Sequence, residues 1–143
     1  MSDASLTFSS FDAPPEASVL AVDRGLDEYN ISVAPVNDVR RLASFAMDAA
    51  GRTVGGAVGR TWGRCCELLE LWVDPAHRSA GVGSRLLREF EAHAARRGCD
   101  IYYLTTLSFQ APGFYRKHGY ASIAEIPNHP NGITKYLMQK TVS

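Results

Sequence analysis

The sequence predicts an α/β domain built on one mixed sheet with helices on its faces, and three observations carry that prediction. Cys65–Val73 is almost continuously apolar, broken only by Glu67 and Glu70, the pattern of a central strand covered on both faces. An amphipathic helical stripe follows, and then a second buried run, Ile101–Leu107. Strand, helix and strand in that order make a right-handed βαβ unit with parallel strands. Shorter β-type runs, set off by Gly, Pro and Asp turns, flank this unit on both sides. The chain's 143 residues, 45% hydrophobic and 21% charged, are enough for one domain with its own core, without disulfides or a structural metal.

Taken in order, Leu6, Phe8 and Phe11 predict a short first strand. Pro14-Pro15 stops it and pre-sets a helix start. Val19, Leu20, Val22, Leu26 and Tyr29 recur at helical spacing, with an end expected near Asn30 and a loop from Ile31 to Asp38 around Pro35. Arg41–Met47 reads as a strand and Asp48–Gly51 as its turn. Thr53–Trp62 is the next strand, loosened by Gly55, Gly56 and Gly59, and Gly63-Arg64 is a tight turn. Asp74-Pro75 ends the Cys65–Val73 strand. Val82, Leu86, Leu87, Phe90 and Ala94 form the apolar stripe of a strong helix, surrounded by charge and stopped by Gly98. After Ile101–Leu107 come a short helix at Pro112–His118 and two strands, Tyr120–Ile126 and Ile133–Lys140.

Several function classes fall away at this level. Fifteen basic residues balance fifteen acidic ones, which argues against broad electrostatic binding of nucleic acid. No apolar run approaches the ~18 residues of a membrane span. The N-terminal MSDASLTFSS lacks the basic-then-apolar layout of a signal peptide, so the expected compartment is the cytoplasm. Cys65, Cys66 and Cys99 show no metal-ligand spacing; the adjacent pair reads as small core hydrophobes, and no metal is expected. His77, His93, His118 and His129 share no motif.

The chemistry gathers in Arg78-Ser79-Ala80-Gly81-Val82-Gly83-Ser84, between the central strand and the strong helix. Glycines let backbone approach a ligand, and a helix N-terminus offers unpaired N–H groups with a favourable dipole. That is the physics of a pyrophosphate site, although neither GxGxxG nor GxxxxGK[ST] is present.

Arg78-x-x-Gly81-x-Gly83, after Leu71-Trp72-Val73-Asp74-Pro75 and before Ser84-Arg85-Leu86-Leu87, resembles motif A of the GNAT superfamily of N-acetyltransferases. Gln110-Ala-Pro-Gly-Phe-Tyr-Arg-Lys-His-Gly-Tyr120 resembles that superfamily's motif B. The phrase around Ser108–Pro112 and the turn Pro130-Asn-Gly132 are similar to those of small bacterial members of unassigned substrate. The resemblance spans residues 5 to 141 and implies a single N-acetyltransferase domain over 1–143. Its implied fold is a mixed, mostly antiparallel sheet with splayed parallel central strands and helices on both faces.

The resemblance further implies that acetyl-CoA is the acyl donor, lying between Cys65–Val73 and Ile101–Leu107. Its pyrophosphate would meet backbone N–H groups from Arg78 or Ser79 through Ala80, Gly81, Val82 and Gly83 to Ser84. Its pantetheine arm would pair with Leu71, Trp72 and Val73 like an added strand. Gln110 would either touch the cofactor or cap the short helix, the cap being favoured. Transfer in this superfamily is direct: an amine attacks the thioester in a ternary complex, and the protein positions the amine, accepts its proton and protonates the leaving thiolate. Tyr115 falls on the motif B tyrosine that serves as general acid, while Phe114 reads as core. Glu67 matches the base position of histone-type members, and Glu70 is its neighbour; a water route is the third option. In a regular strand these two carboxylates point to opposite faces, and a bulge would change that parity.

The function read here is therefore acetyl transfer to a primary amine of a small molecule or peptide, without nucleic-acid or membrane partners. The alternative is a catalytically weak CoA-binding sensor or interaction module on the same fold. Acyl-chain length stays open, and a homodimer is possible on the resemblance. Tyr29–Asp38 and Asn128–Thr134 are the loops expected to touch the acceptor.

Overall fold

A computed structural model describes residues 5–142, which divide into two compact units between Asn37 and Asp38. In the first unit, α1 (Glu16–Val33) starts behind Pro15, whose carbonyl accepts the Ser18 and Val19 N–H groups. It runs three residues beyond the expected Asn30 stop. Ala34, the residue before Pro35, is extended and closes the helix with its N–H on the Asn30 carbonyl. The proline therefore sets the end, because its ring disfavours helical backbone in the residue before it. The expected loop at 31–38 is accordingly helix to Val33 and a 3-10 turn at Val36–Asp38. The predicted first strand is absent. Leu6, Phe8 and Phe11 are exposed and join no ladder, since β-propensity makes a strand only where a partner edge receives it.

The second unit is a six-stranded sheet. Its strands are β1 (Arg40–Met47), β2 (Thr53–Trp62), β3 (Cys65–Val73), β4 (Ile101–Leu107), β5 (Ala121–Ile126) and β6 (Lys135–Thr141), in the order β1-β2-β3-β4-β6-β5. Every pairing is antiparallel except β3 with β4, so the mixed, mostly antiparallel sheet with two parallel central strands stands as predicted. Punctuation explains the accuracy at β2–β4. Asp48 Oδ1 accepts the Ala50 and Arg52 N–H groups across the β1–β2 turn, and Gly63 takes a left-handed φ of 58° between β2 and β3.

The helix α2 (Val82–Arg96) buries Leu86, Leu87, Phe90 and Ala94 against Leu42, Ala57, Cys66, Leu68, Tyr102, Leu104 and Met138. The β2 glycines have a packing reason. A side chain at Gly59 would overlap the Phe90 ring and the Glu67 carbonyl oxygen, so only glycine lets the helix sit this close. Gly98, at φ 93°, follows the end of α2, and Arg97 reaches the carbonyls of Arg40 and Arg41 and the Thr61 hydroxyl. The short α3 (Pro112–Lys117) buries Tyr115 in the same core. Among the described residues no helix is long and apolar enough to cross a membrane.

Candidate active site

The parallel ladder is short. It pairs Cys65–Leu68 with Ile101–Leu104 and stops there, although β3 continues beside β2 to Val73 and β4 continues beside β6 to Leu107. Beyond Leu68 and Leu104 the two central strands part, leaving backbone edges without strand partners. A cleft of about 950 Å³ opens there. Leu69–Val73 line one wall and Thr105 and Thr106 the other; the Arg78–Ser84 loop and the Phe109–Tyr115 segment close its ends. β3 is thus not covered on both sides as its apolar run suggested: Leu69 and Trp72 are half exposed where it borders the cleft.

The glycine-bearing loop is a cradle. Ser79 and Gly81 both have left-handed φ, 67° and 77°, and Gly81 caps α2. The first backbone bond of the helix runs from the Arg85 N–H to the Gly81 carbonyl, so the Val82, Gly83 and Ser84 N–H groups have no acceptor within the helix. Successive N–H groups in such a turn form an anion-binding concavity reinforced by the helix dipole. Gly83 leaves its mouth open, with the Phe114 ring 3.7 Å from where a Cβ would stand. The Arg78 N–H is occupied by the Pro75 carbonyl, and the Arg78 Nε donates to the Val73 carbonyl at 2.8 Å. Arg78 therefore pins the loop to the end of β3 rather than standing free. Of the residues expected at the cofactor, Leu71, Trp72, Val73, Arg78, Ser79, Gly81, Val82, Gly83, Ser84, Gln110 and Tyr115 line the cleft; Ala80 does not.

Gln110 does not cap α3, which has no side-chain cap. Its Oε1 accepts the Leu107 N–H at 2.8 Å and the Thr106 hydroxyl at 3.4 Å. Because a backbone N–H can only donate, the amide oxygen must face β4 and the Nε2 donors are left over. Tyr115 is 8% exposed, wedged edge-on between Phe114 and Tyr120. Its hydroxyl makes no hydrogen bond among the described residues, and the residue lines the cleft. Burial pushes this phenol above its ordinary value near 10, so it stays protonated through the neutral range.

A bulge separates the two carboxylate candidates from the expected geometry. Leu68 pairs with Gly59 and Glu70 with Val58, leaving Leu69 as an extra residue in β3. Glu67 and Glu70 are thereby brought to the same face. Their surroundings differ. Glu67 takes Arg60 Nε at 3.0 Å and lies outside the cleft lining, whereas Glu70 is exposed and lines it. The Asn128–Thr134 loop folds as a 3-10 turn at Pro130–Gly132 and is tied by the Thr134 N–H and carbonyl to Ser108, beside Phe109 and Gln110. Sequence reasoning missed Thr105, Thr106 and Leu69, whose place at the cleft follows from where the ladder ends. It also missed that Ser84 Oγ lies 3.0 Å from His118 Nε2.

The model of the acetyltransferase (GNAT) domain matches residues 41–122, which run from the second residue of β1 through α3 and include every residue that lines the cleft. Blasticidin-S acetyltransferase of Streptomyces morookaense is 42% identical over 110 residues, covering 74% of this chain and 81% of that protein. A crystal structure of an acetyltransferase from Bacillus cereus superposes with a TM-score of 0.79 at 28% identity, covering 94% of this chain and 98% of that one. One from Agrobacterium tumefaciens gives 0.84 at 24% identity over 96% and 100%, a likeness of fold alone. With the splayed strands, the cradle and the buried tyrosine in one cleft, these matches establish that the chain belongs to the GNAT superfamily and is an acetyltransferase.

Proposed function

We propose that the protein, working as one domain over residues 1–143, transfers an acetyl group from acetyl-CoA directly to a primary amine of a small molecule. The observation that carries this reading is the meeting, at one opening of the sheet, of three things: a helix-terminus cradle, free strand edges and an unpartnered buried phenol. The cradle's N–H groups suit a diphosphate in charge and direction. The open edge of β3 at Leu71–Val73 suits an amide-bearing arm that pairs like a strand. Acetyl-CoA, when bound, supplies an activated acyl carbon and a thiolate leaving group.

In this reading the residues divide the remaining work. The cleft holds the amine against the acyl carbon; a C–N bond forms and the C–S bond breaks. Tyr115 gives its proton to the departing sulfur, a role for which a neutral phenol inside the cleft is suited. Glu70, exposed at the cleft and free of an ion pair among the described residues, takes the surplus proton of the amine directly or through water. Glu67 is assigned to structure through Arg60. No Cys or Ser is needed as a nucleophile.

The 42% identical relative is named for blasticidin S, so an amine-bearing antibiotic of that type is the first acceptor to try. Calorimetric titration with acetyl-CoA, free CoA and ATP tests the donor site. Binding of the first two but not ATP is expected, followed by thiol release when blasticidin S or a panel of small amines is added. Failure of a folded sample to bind CoA would remove the reading. Binding without thiol release for any amine would favour a sensor or interaction module.

A further inference from the structure

His118 is a polar side chain beside the cleft that the reaction above does not use. It follows α3 directly, half-buried, with its ring 4.8 Å from the Phe114 ring. Its Nε2 stands 3.0 Å from Ser84 Oγ, the third residue of α2 and part of the cradle lining. The contact joins the two sequence motifs, 34 residues apart in the chain. It does not serve as a helix cap, for Ser84 lies inside the first turn and α2 has no side-chain cap.

A serine hydroxyl has one proton to give and two lone pairs to receive with. If Ser84 donates to a bare Nε2, its proton points away from the cleft. If Nε2 carries the proton and donates to Oγ, the hydroxyl proton is released toward whatever the cradle holds. A diphosphate in the cradle has only acceptor oxygens, so it selects the second arrangement. Hydrogen bonds to charged acceptors are the stronger kind, and a chain of two in one direction strengthens both. We infer that His118 is a positioning residue for the acyl donor: its Nε2–H holds the Ser84 oxygen so that the Ser84 hydroxyl donates to the donor's diphosphate. The inference rests on the proposed acetyl-CoA site, and it adds a residue that acts only through Ser84.

The test compares two donors that differ in the group at issue, acetyl-CoA and S-acetylpantetheine, which lacks the diphosphate. Wild-type binding of acetyl-CoA is measured first; its absence would end the donor-site reading itself. Given binding, Ser84→Ala and His118→Phe, the latter keeping a ring against Phe114, should each raise the KM for acetyl-CoA about tenfold, the size of one charge-assisted bond. The loss should sit in KM rather than kcat. The double variant should be no worse than either single one, and the KM for S-acetylpantetheine should not move. His118→Gln, whose amide can donate, should restore part of the affinity. In the wild type, the imidazole 15N signals should change to those of an Nε2-protonated ring when CoA binds, and fail to do so in Ser84→Ala. An unchanged KM for acetyl-CoA in His118→Phe, equal losses with both donors, or additive losses in the double variant would each overturn the inference. Ser84→Ala deletes one half-buried oxygen at a helix terminus, so a poorly folding His118 variant would not rescue the idea from test.

Discussion

Tyr115 and the two strand glutamates carry the predictions that belong to single side chains. Burial raises the Tyr115 phenol above its usual value, so the acid form is complete across the neutral range and is lost only above pH 10. Tyr115→Phe is therefore expected to lower kcat by about 10²–10³ while leaving acetyl-CoA affinity near the wild-type value. The alkaline fall of the wild-type rate should have its midpoint above pH 10; a pH–rate profile and a calorimetric titration check both. Glu70→Gln should reduce kcat/KM about tenfold or more, and Glu67→Gln, outside the cleft lining and paired with Arg60, less than about threefold. Equal effects from the two would contradict the division of labour made by the bulge. The sequence names all three residues, but it does not say which carboxylate reaches the cleft. That choice is made by the extra residue Leu69, and so by how β3 registers against Val58 and Gly59.

Among elements, α2 and its entry loop are the most legible and the most testable. The stripe Leu86, Leu87, Phe90 and Ala94 is all core, and the seat for Phe90 exists because β2 carries Gly59. Phe90→Ala should cost about 3–5 kcal/mol of stability in urea unfolding, the range for emptying a buried aromatic site. Gly83→Ala meets only ordinary contacts with Phe114 and Val73, so its fold should persist. Gly83→Glu, in contrast, sets bulk and negative charge in the cradle; it should weaken acetyl-CoA binding at least about 100-fold with a melting temperature near that of Gly83→Ala. Retained affinity in a folded Gly83→Glu protein would displace the diphosphate from this loop. Where turn residues punctuate the chain, as at Gly63-Arg64 and Asp74-Pro75, sequence and structure agree to the residue. Where they do not, tertiary partners decide. The Leu6–Phe11 run meets no strand, Pro35 rather than Asn30 ends α1, and half of the apolar run in β3 borders a cleft instead of a second layer.

For the molecule as a whole, the core fixes a pH window. Buried Cys66 is pushed up to about 12, first by desolvation and then by the nearby Cys99 and Glu91. Tyr102, whose hydroxyl donates to the Glu91 and Cys99 carbonyls, is also pushed up to about 12, again chiefly by burial. Tyr120 moves the same way beside the Glu91 carboxylate, which its hydroxyl meets at 2.6 Å and which Lys140 holds from the other side at 2.9 Å. The folded state favours the neutral form of each of these groups. Below pH 9 the folded and unfolded chains both keep them neutral, and the stability they allow is complete. As pH rises through the unfolded values, 9.0 for the thiol and 10.0 for the phenols, the unfolded chain ionises first. Stability then falls until the folded values are passed, by about 1.4 kcal/mol per pH unit for each group. Urea midpoints should therefore be level from pH 7 to 8.5 and drop steeply between pH 9 and 12. Cys66→Ala, less stable at neutral pH through its lost packing, should shrink the onset near pH 9 to the part left by Cys99, whose thiol burial also raises, and keep the later, phenolic part of the fall. Cys66 should also resist a disulfide reagent at pH 8 in the native protein. A midpoint that stays level to pH 11, or a wild-type onset unchanged by Cys66→Ala, would mean that the thiol is not the buried neutral group on which α2 closes.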